Sequence, residues 1–597
     1  MFSLSHVVLA IVFLSSVVTA QYFPPVPEGI TTIKSSNYEN ATISYKETFI
    51  CETTPGVRGW SGYVHLPADA SRDYPINTFF WFFEARNRST DTPLAIWLNG
   101  GPGASSVASV VSENGPCNVL ADSNSTEFNP WSWNNEVDML YIDQPVQVGF
   151  SYDRLANGTL DALSTSLLPV VADFSISGVP MQNDTLFVGT FPSLNSSTTA
   201  TTSTIAASAV WEFLQAWLNG FPFYESCNDK GLGIWGASYG GHWVTALAGF
   251  IEDQNDRITA GTLEDAFLIK VDTVGIINGQ VDFTILAGSY PDMAYNNTYG
   301  FQAISEVEYL SAKANVTMCE NLFQECRDQA AFYDPENLGN VTSVNSLCVA
   351  AYGYCALYVE YVYLISGHDS FDIGHTTPDS EPTKYELGYL NQHWVQAALG
   401  VPLNFTYQNM VVYNAVMASG DIVRGRFPET LGDLLDRGVQ VTLMYGDRDY
   451  ICNWISGERT SLALNSTLSS GFQEAGYVNI TTNDTYYGGV VRQHGNLSFS
   501  RVFDAAHEVA YYQPETAYRV FTRAMFHTDI ATGGISIADH NNYSTTGPSS
   551  GFHIKNTMPD NPPNICYTYM ATTTCTTDQL AKLQNGTAVV EDWIVVG

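Results

Sequence analysis

Five short, mostly apolar stretches, each closed by glycine, proline or a carboxylate, divide the chain. Leu94-Ala95-Ile96-Trp97-Leu98 runs into Asn99-Gly100-Gly101-Pro102-Gly103, and Val137 to Ile142 runs into Asp143-Gln144-Pro145. Leu232 to Trp235, Val271 to Ile277 and Val439 to Met444 repeat the design. Apolar runs of this length, bounded by turn-formers, predict strands buried on both faces. Between them, Ala206 to Leu218 and His242 to Ile251 carry apolar residues at helical spacing. Strands alternating with helices predict an α/β fold with a mainly parallel central sheet covered on both faces. Residues 195–204, rich in Ser and Thr, predict an exposed loop. From about Asp282 to about Leu399 strand character lapses, and helix-like patches with four cysteines predict a cap inserted into the core. The expected division is a leader at 1–20, a first core part at 21–281, the helical insertion at 282–399 and a second core part at 400–597. No fixed-period repeat appears, which excludes a solenoid or propeller.

The leader follows from an apolar core, Val7 to Val18, too short to span a bilayer and followed by small residues at Thr19-Ala20. No later run of comparable apolar length appears, so a secreted, membrane-free protein is expected, with a vacuole- or lysosome-like compartment as the alternative address. Asn-x-Ser/Thr sequons, among them Asn40, Asn87, Asn124, Asn157, Asn315, Asn404, Asn496 and Asn585, predict N-linked glycans. Ten cysteines suit disulfides, and Cys566 with Cys575, or Cys319 with Cys326, lie close enough to close short loops. The formal net charge of −36 repels nucleic acid and anionic membrane surfaces. It also fits either an acidic working environment or simple solubility.

Residues 236–240, Gly-Ala-Ser-Tyr-Gly, form a Gly-x-Ser-x-Gly pattern between a strand and a helix. That setting suits a nucleophile elbow at Ser238, although the five letters also suit an ordinary turn. A serine nucleophile needs a base and a group to orient it, here expected in the order Ser, acid, His. Gly446-Asp447-Arg448-Asp449 supplies two acids at the end of a predicted strand, and His507 follows in a small-residue loop. No His-Glu-x-x-His or comparable metal-ligand spacing is present, so neither a metal nor another cofactor is expected.

Four separated segments carry a resemblance to the serine carboxypeptidases: Trp97 to Gly103 with Ser105-Ser106; Asp143-Gln144-Pro145 with Gly149-Phe150-Ser151-Tyr152; Gly236 to Gly241; and Gly446 to Asn453. With the His507 loop they extend from about residue 80 to about 525. The resemblance implies an α/β-hydrolase fold and removal of C-terminal residues from peptides and proteins. It implies Ser238 as nucleophile, His507 as base and Asp449, rather than Asp447, as orienting acid. Gly101 and Tyr239 would supply the oxyanion-hole N–H groups, and Asn99, Gly100 and Glu113 would hold the substrate's terminal carboxylate. Two positions depart from the family pattern. Ala237 stands where relatives keep a second clamp acid, and Ala104 stands where many carry a cysteine. Cys452 is either a pocket-lining thiol or a buried structural cysteine, and Glu508 is either a selector for basic side chains or a solvent-facing glutamate. The missing acid keeps an esterase or acyltransferase on the same scaffold as an alternative, alongside a non-catalytic secreted binding protein. Oligomeric state stays open.

Overall fold

Twelve strands form one sheet in the computed structural model. It describes residues 23–597 except 36, 37, 39, 70, 71, 167, 225–230 and 541, so the expected leader and Cys227 lie outside the described residues. In chain order the strands are β1 Thr31–Lys34, β2 Thr42–Thr48, β3 Gly59–Leu66, β4 Ile76–Phe83, β5 Leu94–Leu98, β6 Asp138–Ile142, β7 Leu232–Ala237, β8 Val271–Ile277, β9 Gln440–Gly446, β10 Val478–Asn483, β11 Tyr486–His494 and β12 Leu497–Val502. Their spatial order is β1-β2-β3-β4-β6-β5-β7-β8-β9-β12-β11-β10. The six strands from β6 to β12 in that order run parallel, as the apolar runs predict. The flanks, β1 to β4 on one side and β10 and β11 on the other, are antiparallel. This mixed sheet is the α/β-hydrolase fold with antiparallel edges.

Both faces of the parallel centre are covered, which is why its strands are apolar throughout. On one face, helices α1 Ser203–Trp217 and α2 Gly240–Thr259 pack over Ile96, Leu98 and Ile234. On the other, Trp97, Trp133 and Trp235 gather around Phe521 of the helix Pro514–Met525, with the Trp133 and Phe521 rings stacked at 3.9 Å. Truncating such a buried aromatic typically costs about 3–5 kcal/mol.

Between β8 and β9 the chain leaves the sheet and returns as its neighbour. This excursion contains α3 Phe283–Tyr295, α4 Glu306–Tyr333 and α5 Thr342–Cys355. Helices α4 and α5 are joined by the nested bridges Cys319–Cys355 and Cys326–Cys348, so the short Cys319–Cys326 loop is not formed. Two helices packed side by side bring distant cysteines face to face, whereas Cys319 and Cys326 follow one another along α4. Cys566–Cys575 pairs as its spacing suggests, and Cys51–Cys117 ties the β2–β3 turn to the segment after β5. By length and composition Thr342–Ser366 is apolar enough to cross a membrane, the one such helix among the described residues. Its two cysteines bind it to α4 instead. The Ser/Thr stretch is exposed only around Asn195 to Ser197; Thr199, Ala200 and Thr202 are buried, because Thr199 donates to Val146 O and Thr202 caps α1.

Candidate active site

Ser238 occupies the turn between β7 and α2 with φ +61°, a left-handed conformation that a non-glycine residue adopts only where its surroundings impose it. Its N–H reaches Ile277 O and Asn278 O at 3.1 Å, and its carbonyl accepts from Gln280 N at 2.9 Å. The flanking glycines are needed for close approach: a Cβ on Gly236 or Gly240 would stand 2.4 or 2.7 Å from Leu98 O. The elbow is therefore wedged between β5 and the loop that follows β8.

The Asn99-Gly100-Gly101 loop lies directly against this turn. A Cβ on Gly100 would come within 2.5 Å of Tyr239 N and 2.7 Å of Ser238 Cβ, so only glycine fits there. Asn99 is locked by its Nδ2 bond to Ser105 O at 3.0 Å, and its Oδ1 accepts from Gly100 N at 2.9 Å. The Asp143-Gln144-Pro145 segment explains itself structurally. Buried Asp143 accepts from Ser105 Oγ at 2.6 Å, from Val107 N at 3.2 Å and from Phe150 N at 2.9 Å, tying the glycine loop to the Gly149-Phe150 turn. Burial pushes its carboxyl up to about 6, against these hydrogen bonds. Gly101, at φ +106°, and Tyr239 give their N–H groups to no protein acceptor among the described residues. The Tyr239 hydroxyl is anchored on Asp421 at 2.7 Å.

His507 Nδ1 stands 2.7 Å from Asp449 Oδ2. Asp449 is fully buried and also accepts from Asn278 Nδ2 at 2.7 Å and from Cys452 N at 3.2 Å. Burial alone would lower the His507 pKa, but Asp449, with Glu508 and Glu113 beyond it, outweighs burial and holds it above its ordinary value. The imidazole packs edge-on against Phe371, whose carbonyl accepts from His507 N at 3.1 Å. Asp447 points away, to Arg501 at 2.9 Å and the Tyr299 hydroxyl at 2.6 Å.

Ser238 and His507 open into one cavity of about 1020 Å³, shared by Asn99, Gly101, Glu113, Ala237 and Glu508. Glu113 accepts from Ser109 Oγ at 2.9 Å; burial and the nearby Glu508 raise its carboxyl to about 7, partly offset by Lys384. Glu508 is not a solvent-facing glutamate. It forms a very short ion pair with Lys384, and both side chains are mostly buried, at 16 and 17% exposure. Cys452 is buried and unbridged behind Ser238 rather than on the cavity wall; burial raises its thiol well above the usual range, opposed by the Ser238 hydroxyl beside it. Asp449, Cys452 and His507 bring three potential ligand atoms within 4.8 Å, a grouping found nowhere else among the described residues. Asp449 Oδ2 there already serves His507 and Asn278.

Sequence reasoning missed Asn278 and Lys384. Asn278 sits at φ +38° directly after β8, where an Asn after an apolar run was the available signal. It also missed the far wall, where Tyr569 stacks on Phe187 at 4.3 Å and Trp593 closes behind them.

The sequence profile of the family described as "Serine carboxypeptidase" matches residues 51–527. The chain belongs to the serine carboxypeptidase family. Among similar proteins, carboxypeptidase S1 homolog A of Arthroderma otae is 46% identical over 97% of this chain and 90% of its own length. A carboxypeptidase Y homolog of Arthroderma benhamiae is 39% identical over 98 and 94%. Carboxypeptidase S1 of Penicillium janthinellum is 33% identical over 80 and 97%. A solved structure of a prohormone-processing carboxypeptidase from Saccharomyces cerevisiae superposes with a TM-score of 0.54 at 19% identity, covering 78% of this chain and 91% of its own, and supports the fold. This serine carboxypeptidase is thus a hydrolase of C-terminal peptide bonds.

Proposed function

We propose that the enzyme is a secreted carboxypeptidase that cleaves through Ser238, His507 and Asp449, working from mildly acidic to neutral pH. The observation that carries the reading is the His507–Asp449 pair facing the same cavity as a serine held at positive φ. Ser238 Oγ attacks the last peptide carbonyl while His507 takes its proton, then passes it to the departing amine of the terminal residue. Water repeats the sequence on the acyl-enzyme and regenerates the serine. The Gly101 and Tyr239 N–H groups stabilise the oxyanion, where one lost donor costs roughly 100- to 1000-fold in rate. Asn278 acts as a positioning residue by fixing the Asp449 carboxylate. Asn99, Gly100 and Glu113 serve the terminal carboxylate. Glu113 does so in its neutral form, as a donor, which places this contribution below about pH 7.

Four disulfides and the abundant sequons support an oxidising, glycosylating route out of the cell. The Glu508–Lys384 pair removes the support for Glu508 as a selector of basic side chains, since its charge is already partnered. The test is release of single residues from free-acid peptides, followed by mass spectrometry. Ser238→Ala should abolish release and labelling by a serine-directed phosphonate; residual sequential release by this variant would refute the assignment.

A further inference from the structure

The cavity is lined by five carboxylates, Glu113, Asp369, Asp379, Glu381 and Glu508. Among the described lining residues Lys384 is the only lysine or arginine. A carboxypeptidase substrate always brings a carboxylate of its own, and the ionised acids of this lining oppose it. The two family positions expected to receive that group are reduced here to one, because Ala237 has no donor.

Lys384 is placed and charged for the task. Its Nζ donates to Glu508 Oε1 and lies 5.2 Å from the centre of the Tyr407 ring. Burial alone would discharge the amine, but Glu508, Tyr407 and Glu386 outweigh burial and keep it protonated. An ammonium carries three donors, so the bond to Glu508 does not exhaust it. Glu508 directly follows His507 in the chain, and Lys384 lines the same cavity as Ser238 and His507. Glu113 and Glu508 line that cavity too.

We propose that Lys384 binds the free α-carboxylate of the substrate's C-terminal residue, sharing its ammonium between that group and Glu508, and so replaces the acid absent at Ala237. The inference rests on the hydrolytic reading of Ser238 and His507. A charge-assisted bond of this kind holds the carboxylate at every pH where lysine is charged. A clamp made only of protonated acids lets go as they ionise. The remaining groups around the ammonium are Glu508, Glu386, Glu113 and Tyr407, with Tyr511 and its partner Glu381 at the edge. None of them offers a positive charge.

The experiment compares KM and kcat on four peptides ending in Leu or Glu, each as free acid and as C-terminal amide. Wild type should prefer the free acids. Lys384→Met should raise KM on both free acids by about 10- to 100-fold with kcat little altered, and its loss on the amides should be at least tenfold smaller. Lys384→Arg should recover most of the affinity. Because Lys384→Met leaves Glu508 as an unpaired buried charge, Lys384→Met/Glu508→Gln is measured alongside and should lose the same preference. A folded variant that keeps the wild-type preference for free acid over amide overturns the proposal. So does a loss confined to peptides ending in Glu, which would assign Lys384 to a side-chain pocket. Failure of the hydrolytic reading would appear separately, as release by Ser238→Ala.

Discussion

The Asp447 carboxylate lies 2.9 Å from the Arg501 guanidinium, and both side chains are fully sealed from solvent. Two residues on, Asp449 serves His507 instead. Neighbouring acids of one turn therefore have separate partners, a buried arginine for Asp447 and the proposed base for Asp449. Arg501 also donates to Gly551 O and Thr298 Oγ1, so its loss of Asp447 leaves a buried cation half-satisfied. Asp447→Asn is expected to lower stability by about 3–5 kcal/mol, seen as a fall in Tm. Asp449→Asn should keep its Tm within a few degrees and lose about 10⁴-fold in kcat, as mis-orienting the base of such a triad does. Equal melting losses in the two variants would contradict this division.

The pH profile has two limits whose signs differ. His507 works as a base only when neutral. Its pKa is raised above the ordinary 6.5, so kcat/KM should fall as pH drops through that raised value. Glu113 donates only when protonated; with its pKa at about 7, KM should rise as pH climbs through neutrality. Lys384 limits that rise to a few-fold. Glu113→Gln, a donor at all pH values, should flatten it. Ala237→Glu adds a second ionising acid and should steepen it; profiles of wild type and Ala237→Glu that coincide would remove position 237 from the clamp.

Cys452 should resist alkylation. Its thiol is buried and raised well above the usual range, with the Ser238 hydroxyl as its polar neighbour. In the folded enzyme at pH 7, iodoacetamide should modify it at least about 100-fold more slowly than a free thiol in solution. Peptide mapping after a timed pulse reads the rate, and rapid labelling would show that the thiol opens to solvent.

Asn404 should carry no glycan although Asn404-Phe405-Thr406 is a sequon. Its Oδ1 accepts from Thr190 N at 2.9 Å, its Nδ2 faces Asn391, and a Cβ on Gly189 would lie 2.0 Å from Oδ1 and 3.0 Å from Nδ2. A sugar on that nitrogen has no room beside the cavity wall. Glycopeptide mapping of the secreted protein should find Asn404 bare while exposed sites such as Asn87 and Asn585 are occupied.

What was legible in the sequence was whatever is written locally. β5, β7, β8 and β9 announce themselves as apolar runs because both faces of each are covered. The Ser238 elbow and the glycine loop are legible because close backbone approach admits only glycine at Gly100, Gly236 and Gly240. Lys384 escaped notice because its meaning comes from Glu508, 124 residues away, and nothing around it in the chain marks a binding site. The bridges of α4 and α5 escaped for a similar reason: pairing depends on how two helices lie together, and spacing alone favoured the wrong neighbour. Among the antiparallel edges, β1 and β2 escaped because they are partly exposed strands of mixed polarity, which a search for wholly apolar runs passes over.

The excursion between β8 and β9 begins and ends on hydrogen-bonded neighbours, Ile277 opposite Met444. Ser238, Asn278 and Asp449 take their positions from the ends of sheet strands, while Phe371, Lys384, Trp394 and Tyr407 come from residues 279–439. One contiguous length of chain thus supplies much of the cavity wall, facing Glu113, Phe187 and Tyr569 from outside it. A lineage, or a designer, can reshape that part of the pocket by exchanging one length of chain, leaving the register beneath the serine as it was.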